Sequence, residues 1–124
     1  MAARNPVGWF EIYVQDMPRA KAFYTAVFGT QFQNLESSEI EMWAFPMEGD
    51  VPGATGSLVR MAGFPSGGNS TIVYFVCEDC ANEEKRAADN GGKVFKTKFS
   101  IGEHGFIALV TDPDGNMIGL HSMK

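Results

Sequence analysis

The chain has 124 residues, 44% of them hydrophobic and 20% charged, with a formal net charge of −5 and a pI near 4.9. That length suits one domain with a real core, and ten scattered Lys and Arg residues with no cluster beyond Lys85-Arg86 exclude a basic face for nucleic acid or an anionic membrane. No apolar run reaches the length of a membrane span and MAARNPVGW lacks the apolar stretch of a secretory leader, so cytoplasmic residence is the expectation.

In chain order, Trp9–Val14 alternates, with Trp9, Glu11 and Tyr13 on one side and Phe10, Ile12 and Val14 on the other. Period-two patterning in aromatic and β-branched residues predicts a strand. Asp16 stands where an N-cap belongs, Pro18 is tolerated just inside a helix start, and Ala20, Phe23, Tyr24 and Val27 recur at helical spacing before Gly29. A weakly patterned strand over Thr30–Glu36 and a clearer one over Glu39–Pro46 follow. Met47–Gly56 is punctuated by Gly and Pro and reads as a loop, and Gly56–Met61 resumes as a strand.

The plan then repeats. Asp16 and Asp79 lie 63 positions apart, as do Gly29 and Gly92. A lag of half the chain means two copies of one module, not a solenoid, which needs three or more. The modules span about 6–61 and 70–122, joined by the Gly-, Pro- and Ser-rich stretch 62–69. The second copy carries a strand at Thr71–Val76, a helix at Cys80–Asn90 and strands near Lys93–Lys98, Phe106–Thr111 and Met117–Ser122. Asp112-Pro113-Asp114-Gly115-Asn116 is turn chemistry joining the last two strands. Each module therefore reads βαβββ, an α+β fold.

Cys77 and Cys80 form a C-x-x-C at a strand-to-helix junction, where redox motifs occur. The first module has Val14 and Met17 at the matching places, so the cysteines read as small core hydrophobes. Zinc would need two further ligands, and no second C-x-x-C or His pair is present. The run Asn82–Arg86 reads as an exposed helix face, His104 as a rim residue and the seven methionines as core filling.

The strand leading into V-x-D-M-x-R-A-x-x-F-Y-x-x-V-F-G, the half-length repeat and the D-P-D-G-N hairpin together resemble the vicinal-oxygen-chelate superfamily of glyoxalase I, bleomycin-resistance proteins and extradiol dioxygenases. The resemblance covers nearly the whole chain. It implies two tandem βαβββ modules forming a curled mixed sheet around a cavity, usually in a homodimer. Metal-using members take four His, Glu or Gln ligands from the first and last strands of each module. Carried over by counting from the capping Asp and the hairpin Gly, those positions fall on Trp9, Gly56, Ile72 and Gly119. None has a side chain that ligates a divalent ion, so the expectation is a member with no metal and no other cofactor.

If Trp9 faces the cavity, so do Glu11 and Tyr13; Ile72 brings Tyr74, and Gly119 brings His121. Glycines at Gly56 and Gly119 would leave room for a ligand. Trp43, with Phe106 as its repeat counterpart, is a further candidate wall whose face the pattern does not fix. Trp9 reads either as a plug of the vacated metal position or as a stacking platform. A carboxylate at Glu11 must meet solvent, find a donor or change its pKa, and His121 is the candidate partner for an orienting or proton-relaying pair. The expected function is binding of a modest aromatic or apolar compound at Trp9, Glu11, Tyr13, Trp43, Ile72, Tyr74, Gly119 and His121. The alternative is a glyoxalase-like lyase or isomerase, or a dioxygenase, either metal-free with Glu11 as base and His121 assisting or with an atypical metal site.

Overall fold

A computed structural model describes residues 5–35 and 40–124. The first module runs β1 (Trp9–Tyr13), α1 (Met17–Phe28), β2 (Gln33–Asn34), β3 (Glu41–Ala44) and β4 (Thr55–Arg60). The second runs β5 (Val73–Val76), α2 (Cys80–Asp89), β6 (Lys93–Ser100), a short 3-10 turn at Gly102–His104, β7 (Phe106–Thr111) and β8 (Met117–Ser122). The strand expected over 30–36 shrinks to two residues, and Glu36 and Glu39, at the ends of two expected strands, lie outside the described residues.

The cheap local signals act as expected. Asp16 accepts a hydrogen bond from the Arg19 N–H at 3.0 Å and Asp79 one from Ala81 at 3.0 Å, capping the two helices. Gly29 closes α1 in the left-handed region at φ 66°. In α2 the closing glycines divide their roles: Gly91 takes the positive φ of 96°, while Gly92 lets the backbone approach, since a Cβ there would lie 2.5 Å from the Thr111 carbonyl oxygen.

The strands form two four-stranded mixed sheets, one from each module, ordered β1-β4-β3-β2 and β5-β8-β7-β6, as the paired βαβββ modules predict. In each, the first and last strands of the module pair in parallel, so β1 and β5 are edge strands. α1 and α2 pack against each other and against one face of the sheets. Met17, Ala20, Phe23, Tyr24 and Val27 of α1 are buried in a core that also takes Ile12 and Leu58 from the first module and Val110, Ile118 and Leu120 from the second. Full burial of each large apolar side chain stabilises by roughly 1.5–3 kcal/mol, so a core shared by both modules couples them strongly. Val14, Met17, Cys77 and Cys80 all sit in it. Burial pushes the Cys77 thiol up to about 12, and neighbouring Glu83 adds to the shift; such a thiol is neutral at pH 7 and a poor nucleophile.

The D-P-D-G-N hairpin does more than turn the chain. Asp112, 2% exposed, accepts hydrogen bonds from the backbone of Asp114 and Asn116, from the Asn116 side chain and from the buried Tyr24 hydroxyl of α1 at 2.8 Å. Asn116 in turn donates to the Tyr13 carbonyl and accepts from Gly67 N–H. Arg19 reaches Asp114 at 2.6 Å. The connector is tied from both sides: Ser66 donates to the Tyr13 carbonyl, and Asn69 exchanges hydrogen bonds with the backbone of Met117.

Candidate functional site

Register decides which side chains can meet. β1 pairs with β4 so that Trp9, Glu11 and Tyr13 lie beside Thr55, Ser57 and Val59, while Phe10 and Ile12 lie beside Gly56 and Leu58 on the helix side. In the second module Tyr74 lies beside Gly119 and Val76 beside His121. Ser57, not Gly56, therefore mirrors Gly119, and the two halves are one residue out of step by their last strands. Gly56 falls on the core face. Ile72 lies just before β5, outside the strand.

Neither glycine leaves the room expected of it. A Cβ on Gly119 would lie 2.2 Å from the Tyr74 ring, and one on Gly56 would lie 2.2 Å from the Phe10 carbonyl oxygen and 2.6 Å from its ring. Each missing side chain is replaced by an aromatic ring from the neighbouring strand. Trp43 pairs with Leu58 in β3·β4, so it too takes the helix side, opposite Trp9; the Lys21 ammonium stands 3.2 Å above its ring. Phe106 likewise packs against the core.

Two hollows remain. The larger, about 510 Å³, runs between the edge strands: Glu11 and Tyr13 of β1 line one side, Val73 and Met117 the other, and the connector residues Pro65 and Asn69 close it. Sequence reasoning missed these connector residues, because Gly-, Pro- and Ser-rich composition signals only a loop. The smaller, about 410 Å³, lies on the outer face of the second sheet against Tyr74, Val76, Ile101, Ile107 and His121.

Glu11 is an exposed carboxylate organised by its own strand. Tyr13 donates its hydroxyl to one oxygen at 2.9 Å, and the Trp9 indole N–H approaches the other at 3.4 Å. Residues two apart on a strand share a face, which is why this triplet converges. The hydrogen bond to Glu11, more than burial, raises the Tyr13 phenol above its ordinary value. Phe64 stacks on Tyr13 with ring centroids 5.3 Å apart. Beside Glu11 in register, Ser57 is fully buried with no hydrogen-bond partner for its hydroxyl among the described residues.

Glu11 and His121 are not brought together within the chain. His121 lies on the second sheet with Nε2 2.7 Å from the His104 carbonyl oxygen. A carbonyl can only accept, so Nε2 carries the proton, and in the neutral ring Nδ1 is the acceptor. As for the family's metal, the positions that would hold it carry an indole, a serine hydroxyl, an isoleucine and a glycine; this donor set does not fit a divalent ion. Among the described residues no group of three or more His, Cys, Asp or Glu converges.

Paired βαβββ modules with a hollow along their facing edges define the class, and the comparisons agree. The profile of the Glyoxalase/Bleomycin resistance protein/Dioxygenase superfamily matches residues 7–120, and the chain belongs to that superfamily. It is similar to CFP32 of Mycobacterium bovis, a protein carrying a glyoxylase name, at 25% identity over 127 aligned residues, covering 90% of this chain and 43% of that protein. The chain thus spans less than half the length of the first curated relatives it matches. Among solved structures, TnmS3, an antibiotic-binding protein from Streptomyces sp. CB03234, aligns at 26% identity with a TM-score of 0.71, covering 98% of both chains. A mutant glyoxalase I from Zea mays shares the fold, with a TM-score of 0.74 at 18% identity over 95% of this chain and 46% of that one.

Proposed function

We propose that this chain binds a modest, partly aromatic organic molecule in the cleft between its modules, without a divalent metal. The observation that carries this reading is the Trp9–Glu11–Tyr13 triplet, an aromatic-flanked carboxylate whose Glu11 and Tyr13 line the 510 Å³ cleft. A concave site with apolar walls and a few placed polar groups suits a small ligand. The likeness to an antibiotic-binding protein along nearly the full length of both chains supports it.

Trp43→Phe leaves Trp9 as the only indole and so makes its fluorescence a local reporter. Titration with a panel of antibiotics and aromatic metabolites is expected to quench it saturably for at least one compound. A flat response throughout removes the proposal. Elemental analysis of the purified protein is expected to find no stoichiometric divalent ion; one equivalent lost to a chelator, with binding, overturns the metal-free part.

A second reading makes Glu11 a general base, with Tyr13 donating to the developing negative charge of a substrate. Their 2.9 Å contact favours it. Turnover abolished by Glu11→Gln in a folded protein would select it over simple binding.

A homodimer belongs to the same proposal. Val76 is 90% and Tyr74 46% exposed on the outer face of the second sheet, with Ile101 beside them. A contiguous apolar patch on a strand face is costly in water and invites a partner. Sedimentation is expected to give a dimer and Val76→Lys a monomer; a monomeric unmodified chain at micromolar concentration refutes it.

A further inference from the structure

We infer that the cleft selects organic cations, protonated amines carried on an aromatic or apolar body, over neutral and anionic compounds of the same shape. This rests on the small-molecule reading above and specifies the ligand's charge.

The first observation is an unbalanced carboxylate. Among the described residues Glu11 has no basic partner: its contacts are the neutral donors Trp9 and Tyr13. The cations are committed elsewhere. Arg19 is held by Asp114, Lys21 lies over Trp43 on the helix side, and Arg60 donates to the Gln15 carbonyl. The remaining described Lys and Arg belong to α2, β6 and the C-terminal end. A carboxylate offers about four lone-pair sites, so two neutral donors leave capacity for a ligand.

The second observation is that both side-chain amides of the cleft are already spent, which leaves the Ser70 and Thr71 hydroxyls as its neutral polar groups. Asn69 spends its amide on Thr71 and Met117, and Asn116 spends its own on Tyr13, Gly67 and Asp112. Neither is free to hold an anion. The third is the aromatic flanking: Trp9, 39% exposed, and Tyr13, one face of which is stacked on Phe64, turn their N–H and O–H edges to the carboxylate. Ammonium groups are drawn to aromatic rings as well as to the charge. A negative ligand meets Glu11 with no compensating cation, and a neutral one gains only a hydrogen bond.

The test uses three probes with one ring system: naphthylmethylamine, naphthylmethanol and naphthylacetate, each followed by equilibrium dialysis against the purified chain. The amine is expected to bind about tenfold or more tightly than the alcohol, and the acetate weakest of the three. The amine's advantage should shrink with added salt and vanish above its own pKa, while the alcohol's affinity stays level. Glu11→Gln, which keeps an acceptor for Trp9 and Tyr13, should bring the amine down to the alcohol; Tyr13→Phe, which keeps the ring and the carboxylate, should preserve the preference. Equal binding of all three, or an amine affinity unchanged by Glu11→Gln, overturns the charge selection while leaving a small-molecule site in place. No binding by these probes or by any compound of the wider panel removes both.

Discussion

Asp112→Ala is expected to lower the free energy of unfolding by about 3–5 kcal/mol, as much as truncating a buried core aromatic. The carboxylate is buried and accepts four hydrogen bonds, and its removal strands the Tyr24 hydroxyl in the core. Two milder variants separate the contributions. Tyr24→Phe deletes one donor and should cost about 1–3 kcal/mol. Asp112→Asn keeps one oxygen for the two backbone N–H groups but turns an amide donor toward Tyr24 and Asn116, so it falls between. Urea midpoints at constant slope give the order; an Asp112→Ala protein within 1 kcal/mol of the parent, judged against about 1–3 kcal/mol for one unsatisfied group, would refute the hub.

Asp112 also sets a pH dependence. Burial raises its pKa above the ordinary 3.8, with the hydrogen bonds from Asn116, Tyr24 and Asp114 opposing but not cancelling the shift. At pH values between the ordinary one and the folded one, the folded state holds a proton that the unfolded chain releases. This group's stabilising effect is full below the ordinary carboxylate pKa and is lost as pH rises through the folded value. The stability difference between the parent and Asp112→Asn should therefore shift in the parent's favour on acidification toward pH 4, and a pH-independent difference counts against the assignment.

Gly56→Ala is expected to be strongly destabilising as well. Its methyl would meet the Phe10 carbonyl 2.2 Å away, and a backbone atom of a paired strand cannot swing aside. β1 must part from β4, at a cost of about 3 kcal/mol, the upper end for overpacking. Gly119→Ala makes the informative contrast. Its nearest obstacle is the Tyr74 ring, which can rotate outward, so about 1 kcal/mol is expected. Similar melting temperatures for the two variants would show that the Phe10 carbonyl is not the obstacle.

The sequence disclosed the architecture because its signals are local and doubled: two capping Asp residues, two amphipathic helices and a hairpin whose turn chemistry leaves little choice. It misplaced the fourth corner of the site for an equally physical reason. Period-two alternation looks acceptable in either register until the partner strand is known, and the slip that substitutes Ser57 for Gly56 lies in pairing, not in composition. The filled glycines escaped notice because Phe10 and Tyr74 are across-strand neighbours, distant in sequence. The facing of Trp43 was decided by Leu58 opposite it. Glu11 was found as a side chain facing a hollow, but its donors proved to be its own strand neighbours and not His121.

The connector between β4 and β5 hangs on both halves through Ser66, Gly67 and Asn69. Trading halves between two copies would mean first peeling that segment away from Tyr13 and Met117. A backbone severed near Gly68 should leave two fragments that still travel as one particle until denaturant parts them.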